Sequence, residues 1–160
     1  MDMELSQTHP AYYYSLQRYN SALKQRNALL KEPDRIGPGM LETWDEQLSA
    51  LGEEIVMDRC EFIDGLSTIA YDLHKSITGG RERLEIVYEP EAPEGIYGAM
   101  LKALDRSRAE DIRRGFTTAG PHRDDIGIAL SGIDVRTFGS QGQKRTAALS
   151  LKLSELAFIR

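Results

Sequence analysis

Between Tyr12 and Lys31 the chain holds neither Gly nor Pro, and Leu16, Tyr19, Leu23 and Leu30 recur at helical steps with Arg26 in the gap. That spacing predicts one amphipathic helix. The segment Glu32-Pro33-Asp34-Arg35-Ile36-Gly37-Pro38-Gly39 then gathers residues that stop helices and reverse chains. A second seam follows through Leu41, Trp44, Leu48, Leu51, Ile55, Phe62, Leu66, Ile69 and Leu73, with Asp58 polar inside it, until Gly79-Gly80 supplies a stop. Two long helices joined by a short break predict an antiparallel hairpin. The second, at about 38 residues and 1.5 Å per residue, would run about 57 Å, long enough to form a projecting arm.

Beyond Gly80 the period changes. Leu84, Ile86 and Tyr88 alternate with Glu85, Val87 and Glu89 before Pro90 and Pro93 close the run, which predicts a strand. Residues 95 to 108 read as a helix with Ile96, Met100 and Leu104 on one face, and Ala109 to Arg114 continue or restart it. Ile126 to Leu130 and Asp134-Val135-Arg136 are short strand candidates around a Ser131-Gly132 turn. The last helix starts at Gln141 and is apolar on nearly all sides through Ala147, Ala148, Leu149, Leu151, Leu153, Leu156, Ala157, Phe158 and Ile159, so it expects burial against more protein. It reaches Arg160 without a stop signal, which reads as an internal piece of a larger protein. The expected fold class is α+β, mostly helical: a long antiparallel helical hairpin arm over residues 1–94, then a partial α/β portion with short strands over 95–160.

Composition narrows the function classes. The 160 residues carry a formal net charge of −5 and one cysteine, Cys60, so no internal disulfide is available and no Cys/His spacing suits a metal. No run approaches the length of a membrane span, and Met1-Asp2-Met3-Glu4 is acidic where a secretory leader would be basic. A cytoplasmic protein with no membrane partner is expected. The charge is uneven. Residues 1–100 hold 9 Lys+Arg against 18 Asp+Glu, and residues 101–160 hold 11 against 7, which points any nucleic-acid contact to the part after Lys102. Arg113, Arg114 and Arg123 are the DNA-contact candidates, with ordinary solvated arginines as the alternative for the cluster from Lys102 to Arg114.

The chemistry concentrates at the start of the last helix. Ser140 followed by Gln143 is a capping-box pattern that needs no ligand. Gly139 and Gly142 flank it and would let backbone N–H groups approach an anion. Lys144 and Arg145 fall near the first turn, where the helix dipole disfavours cations, so nothing in folding alone rewards them there. A bound phosphate would reverse that sign. Upstream, Gly120-Pro121-His122-Arg123-Asp124-Asp125 invites a metal reading but reads instead as a turn into a strand with His122 and Arg123 pairing Asp124 or Asp125, a phosphate or DNA contact by Arg123 being the alternative. Tyr12-Tyr13-Tyr14 reads as core plus surface, because three neighbours on a helix point three ways, rather than as a base-stacking platform.

Gly139-Ser140-Gln141-Gly142-Gln143-Lys144-Arg145-Thr146, with Leu149-Ser150-Leu151-Lys152-Leu153 behind it, resembles the ABC signature of the RecF family of bacterial recombination mediators. Gly120 to Asp125 and the stretch Leu23 to Lys31 resemble the same family in the same order, so the resemblance spans nearly the whole chain. It implies an ATP-dependent homodimer that binds DNA at single-strand gaps and junctions and works with RecO and RecR to load RecA. It also implies a composite site, where one subunit's phosphate loop holds ATP and Mg²⁺ and the other subunit's Ser140, Gln141, Gly142, Gln143 and Lys144 contact the γ-phosphate. No G-x-x-x-x-G-K-[ST] loop occurs here, and no apolar strand ending in paired acids. By itself the chain is therefore expected to have no catalytic residues and to hold no metal or nucleotide. The competing reading is a helical protein-interaction module whose cap is purely structural.

Overall fold

The computed structural model describes residues 1–90 and 97–159. The fold is α+β and mostly helical. Helices α1 (Asp2–Thr8), α2 (Pro10–Leu30) and α3 (Met40–Thr78) are followed by strand β1 (Leu84–Glu89), helix α4 (Tyr97–Arg114), strands β2 (Asp125–Leu130) and β3 (Ile133–Asp134), and helices α5 (Val135–Phe138) and α6 (Gln141–Phe158). Among the described residues no helix is long and apolar enough to cross a membrane.

The first predicted helix starts two residues before the expected Tyr12, because Pro10 sits where a helix tolerates a missing N–H. The second runs 39 residues, and Gly79 and Gly80, at φ 66° and 76°, end it with a Gly80 N–H bond back to the Lys75 carbonyl. Helix α4 continues unbroken to Arg114 before Gly115 at φ 74°. The Ile96 end of the predicted helix lies outside the described residues. Helix α1 has no counterpart in the sequence reading, since seven residues are too short to show a period.

The chain forms two units by contact, and both draw on residues before and after position 94. One comprises Leu5–Asp58 with Pro90–Asp124. Here α2 runs antiparallel to the first half of α3, as Ser15 donating to Glu54 and Arg26 donating to Asp45 show. Tyr12, Tyr19, Ala22 and Leu30 of α2 are buried in its core, as are Leu48 and Ile55 of α3 and Leu104 of α4. Arg26 occupies the gap in the α2 stripe and is fully buried, with Nε on Asp45 and Nη1 on Asp111 and Thr117, all within 2.8 Å. Tyr12 is core, while Tyr13 and Tyr14 are exposed.

The other unit comprises Met1–Glu4, Arg59–Glu89 and Asp125–Arg160. Its sheet has the order β1-β2-β3, antiparallel throughout, with Ile86 opposite Ile128 and Leu130 opposite Ile133. Leu84, Ile86 and Tyr88 are buried, as the alternation predicts. Ser131 and Gly132, both at positive φ, make the two-residue hairpin turn. The predicted strand Asp134-Val135-Arg136 is a correction: only Ile133–Asp134 pair, because the Asp134 side chain accepts from Thr137 N–H at 2.6 Å and starts the helical turn α5.

Helix α6 lays its small residues inward. Ala147, Ser150 and Ser154 are buried, and both serines back-bond to carbonyls one turn earlier. The small inward face admits close approach, so Phe158 packs edge-on against Phe62 and lies over Gly65, where a Cβ would come within 2.6 Å of its ring. Leu149, Leu153 and Leu156 stay exposed.

Candidate functional site

The cap of α6 is built from two directions. Gly139 closes α5, its N–H bonding the Val135 carbonyl at 3.1 Å, and a Cβ there would sit 2.5 Å from that same oxygen. Its missing side chain is thus dictated by packing, which corrects the reading of Gly139 as clearance for an anion. Ser140 then turns extended, and the capping box forms in full: Gln143 N–H donates to Ser140 Oγ at 3.2 Å and Ser140 N–H donates to Gln143 Oε1 at 2.8 Å.

The box uses the Ser140 hydroxyl as an acceptor and leaves its O–H without an acceptor among the described residues. The amides of Gln141 and Gly142 fall in the first turn, where a helix has no internal acceptor to offer. Gly142 faces open space, the nearest atom to a Cβ being Ser140 Oγ at 4.0 Å. Unlike Gly139, it has no packing reason to be glycine. Gly142, Gln143 and Thr146 line one side of a polar hollow of about 610 Å³, opposite Thr78, Gly79 and Arg81.

Lys144 is not the unrewarded cation that the sequence suggested. Its Nζ donates to the Arg136 carbonyl at 2.9 Å, near the carbonyl end of α5, so part of its position is structural. Arg145 is exposed and makes no ion pair or side-chain hydrogen bond among the described residues. Of the two, Arg145 is the one left free to meet an anion.

The Gly120–Asp125 segment pairs differently from the expectation. His122 Nδ1 lies 2.7 Å from the Tyr19 hydroxyl and Nε2 3.1 Å from the Thr117 carbonyl, so Nε2 donates and Nδ1 accepts. Burial pushes this imidazole below its ordinary value, the Thr117 carbonyl opposing the shift and Arg123 adding to it. Asp125 pairs with Arg136, not with His122 or Arg123, and that hydrogen bond lowers it to about 2. Gly120, at φ 124°, is required because a Cβ would meet the Tyr19 hydroxyl at 2.5 Å. No cluster of acids, His or Cys among the described residues is placed to hold a metal. Arg113 and Arg114 both bind Glu110, whereas the Arg123 guanidinium is exposed with no such partner among the described residues.

Sequence reasoning missed Glu82, whose Oε1 accepts from Gln143 Nε2 at 2.8 Å. It follows the Gly79-Gly80 stop, and no spacing rule links it to position 143.

No protein-family model matches the chain. It is similar over its full length to the DNA replication and repair protein RecF of Halothermothrix orenii, at 45% identity over 171 residues, covering 46% of that relative. RecF of Clostridium perfringens is 40% identical over the whole chain and 45% of its own length, and RecF of Lactococcus lactis 43% identical over 99% of the chain and 44% of its own. Among solved structures, the recombination mediator protein RecF-ATP in the RecFOR pathway superposes with a TM-score of 0.91 at 36% identity, over 99% of this chain and 44% of that one. RecF-ATPrS superposes with a TM-score of 0.91 at 35% identity. The chain thus spans a little under half the length of the relatives it matches, and along its own length it is similar throughout to RecF proteins in sequence and in fold.

Proposed function

We propose that this chain supplies the signature half of a composite ATP site in a RecF-type DNA repair and recombination mediator. The observation that carries the reading is the cap itself. The Ser140–Gln143 box is satisfied internally and still leaves the Ser140 O–H without an acceptor among the described residues and the Gln141 and Gly142 amides without one within the helix, beside a glycine that packing does not require. Three donors at the positive end of a helix suit a terminal phosphate. RecF structures named for ATP and for ATPrS share this fold.

In this reading ATP is held by the phosphate loop of one subunit and supplies the concentrated negative charge of its γ-phosphate. Ser140 donates its hydroxyl, Gln141 and Gly142 their amides, Gln143 fixes the cap, and Lys144 and Arg145 add positive field. The nucleotide then becomes part of the dimer interface, so association depends on it, as with a group supplied in trans in other phosphoryl-transfer sites. Mg²⁺ belongs with the phosphate loop and the acidic strand, neither of which this sequence contains. The unit that carries the cap serves as part of the head, in place of a division at residue 94, and the other as the arm, in a protein acting at gapped DNA with RecO and RecR to place RecA. For DNA, Arg123 is the stronger candidate, because Arg113 and Arg114 are already engaged by Glu110.

The test uses the intact protein. Ser140→Ala and Ser140→Arg should weaken ATP-dependent dimerisation in sedimentation velocity while each monomer still binds ATP. Unchanged dimerisation would leave the cap purely structural and favour the interaction-module reading.

A further inference from the structure

We infer that Glu82 is a positioning residue for the signature cap, acting through Gln143. The inference rests on the reading of Ser140 to Gln143 as a phosphate contact.

The Gln143 carboxamide stands between two neighbours that demand the same orientation. The Ser140 N–H is a donor and requires the amide oxygen, at 2.8 Å; the Glu82 carboxylate is an acceptor and requires the amide nitrogen, also at 2.8 Å. Turning the amide over would set oxygen against carboxylate and N–H against N–H, losing both bonds at once. Glu82 therefore locks the side chain that closes the box, with a charge-assisted bond that water would otherwise loosen at a half-exposed site. The lock reaches the cap through Gln143 Oε1, which holds the Ser140 N–H, while the Gln143 backbone N–H holds Ser140 Oγ and leaves the hydroxyl proton to another acceptor.

A second observation sets Glu82 apart from an ordinary surface acid. Its other oxygen, Oε2, lies 3.7 Å from Nε2 of His74, a side chain with no solvent exposure. His74 Nδ1 faces Ser150 Oγ at 2.9 Å, and that hydroxyl donates to the Thr146 carbonyl, so Nδ1 carries the proton and donates. Nε2 is then a buried nitrogen without a hydrogen-bond partner, aimed at the carboxylate that holds Gln143. Buried polar atoms left unpaired are few and costly in folded proteins. In this tautomer Nε2 turns a lone pair toward the carboxylate and donates nothing to it, so His74 backs Glu82 without a hydrogen bond and Glu82 finds its donor in Gln143. Neither Glu82 nor His74 touches the nucleotide in this arrangement. Their effect is on where the donors stand.

The experiment is a double-mutant cycle in the intact protein, read as the dimer dissociation constant at saturating ATP and, separately, as the ATP affinity of the monomer. Glu82→Ala should raise the dimer constant about tenfold, the weight of one charge-assisted hydrogen bond, with monomer ATP affinity unchanged. Glu82→Gln keeps an acceptor for Gln143 and should stay within about twofold of the parent. Gln143→Met should weaken the dimer at least as much as Glu82→Ala, and the double variant should be no worse than Gln143→Met. Should Glu82→Ala lower the melting temperature, Glu82→Asp keeps the charge but withdraws the acceptor, and the same loss is expected. Additive effects in the cycle, or parent-like dimerisation of both Glu82→Ala and Glu82→Asp while Ser140→Arg abolishes it, overturn the role of Glu82 and leave the cap reading standing. Parent-like dimerisation of Ser140→Arg as well overturns the cap reading and this inference with it.

Discussion

Arg26 Nε and Asp45 Oδ1 meet at 2.7 Å with both side chains essentially without solvent exposure, joining α2 to the first half of α3 inside an otherwise apolar core. The same guanidinium serves Asp111, and Arg108 serves the second oxygen of Asp45. Neutral donors complete the set, Thr117 meeting Arg26 and Ser107 and Thr118 meeting Asp111, while Arg108 also reaches Glu42. Arg26→Met leaves Asp111 without a cation and Asp45 with Arg108 alone, and should lower unfolding free energy by about 3–5 kcal/mol, measured by urea denaturation. A loss under about 1 kcal/mol would mean that the network is hydrated and the burial argument fails.

Ser140→Asp separates the two roles of the cap. Aspartate is as good an N-cap as serine, so thermal stability should hold within about 0.5 kcal/mol. It also sets a negative charge where a phosphate would sit and removes the free O–H. ATP-dependent dimerisation should be lost while the melting temperature is kept. Dimerisation that survives this change would argue against any anion at the cap.

Asp125 is held at about 2 by its hydrogen bond to Arg136, below the ordinary 3.8. A lowered carboxyl contributes stability above its unfolded value and loses it as pH falls through the folded one, so this pair acts down to about pH 2. A carbon-detected NMR titration should place the Asp125 midpoint there, and Arg136→Ala should return it toward 3.8. A midpoint near 3.8 in the parent protein would show that the pair does not persist in solution.

His122 is lowered as well, by burial of a neutral ring instead of by an ion pair. Burial lowers it from 6.5, so the unfolded chain binds a proton more readily than the folded one. Its contribution is complete above pH 6.5 and is lost as pH falls through the lower folded value. Stability measured from pH 7.5 down to 5 should fall, and His122→Gln should flatten that slope. Tyr19→Phe, which removes the donor to Nδ1, should lower stability at pH 7.5 by about 1 kcal/mol. An unchanged slope in His122→Gln would assign the pH dependence elsewhere.

The fold was legible wherever one period ran long enough to be read. The α3 seam from Leu41 to Leu73, the β1 alternation from Leu84 to Glu89 and the Gly79-Gly80 stop are local signals, and the structure follows them. Val135 failed because a single Asp134 side-chain bond to Thr137 outweighs the strand preference of a short segment. Helix α6 carries leucines on most sides, yet the face it buries is Ala147, Ser150 and Ser154. Periodicity counts apolar residues and cannot weigh how closely two helices approach.

The sequence by itself determined the Ser140–Gln143 box, because both partners lie within one helical turn and their bonds are set by backbone geometry alone. It also determined the RecF resemblance, through segments whose order needs no coordinates. Only the tertiary structure decided which glycine is free, Gly142 rather than Gly139, which cation is spent, Lys144 rather than Arg145, and that Glu82 reaches Gln143. Those outcomes depend on distances between residues up to 61 positions apart. Such distances are set by how helices and strands pack, a property that no local pattern of residue types encodes.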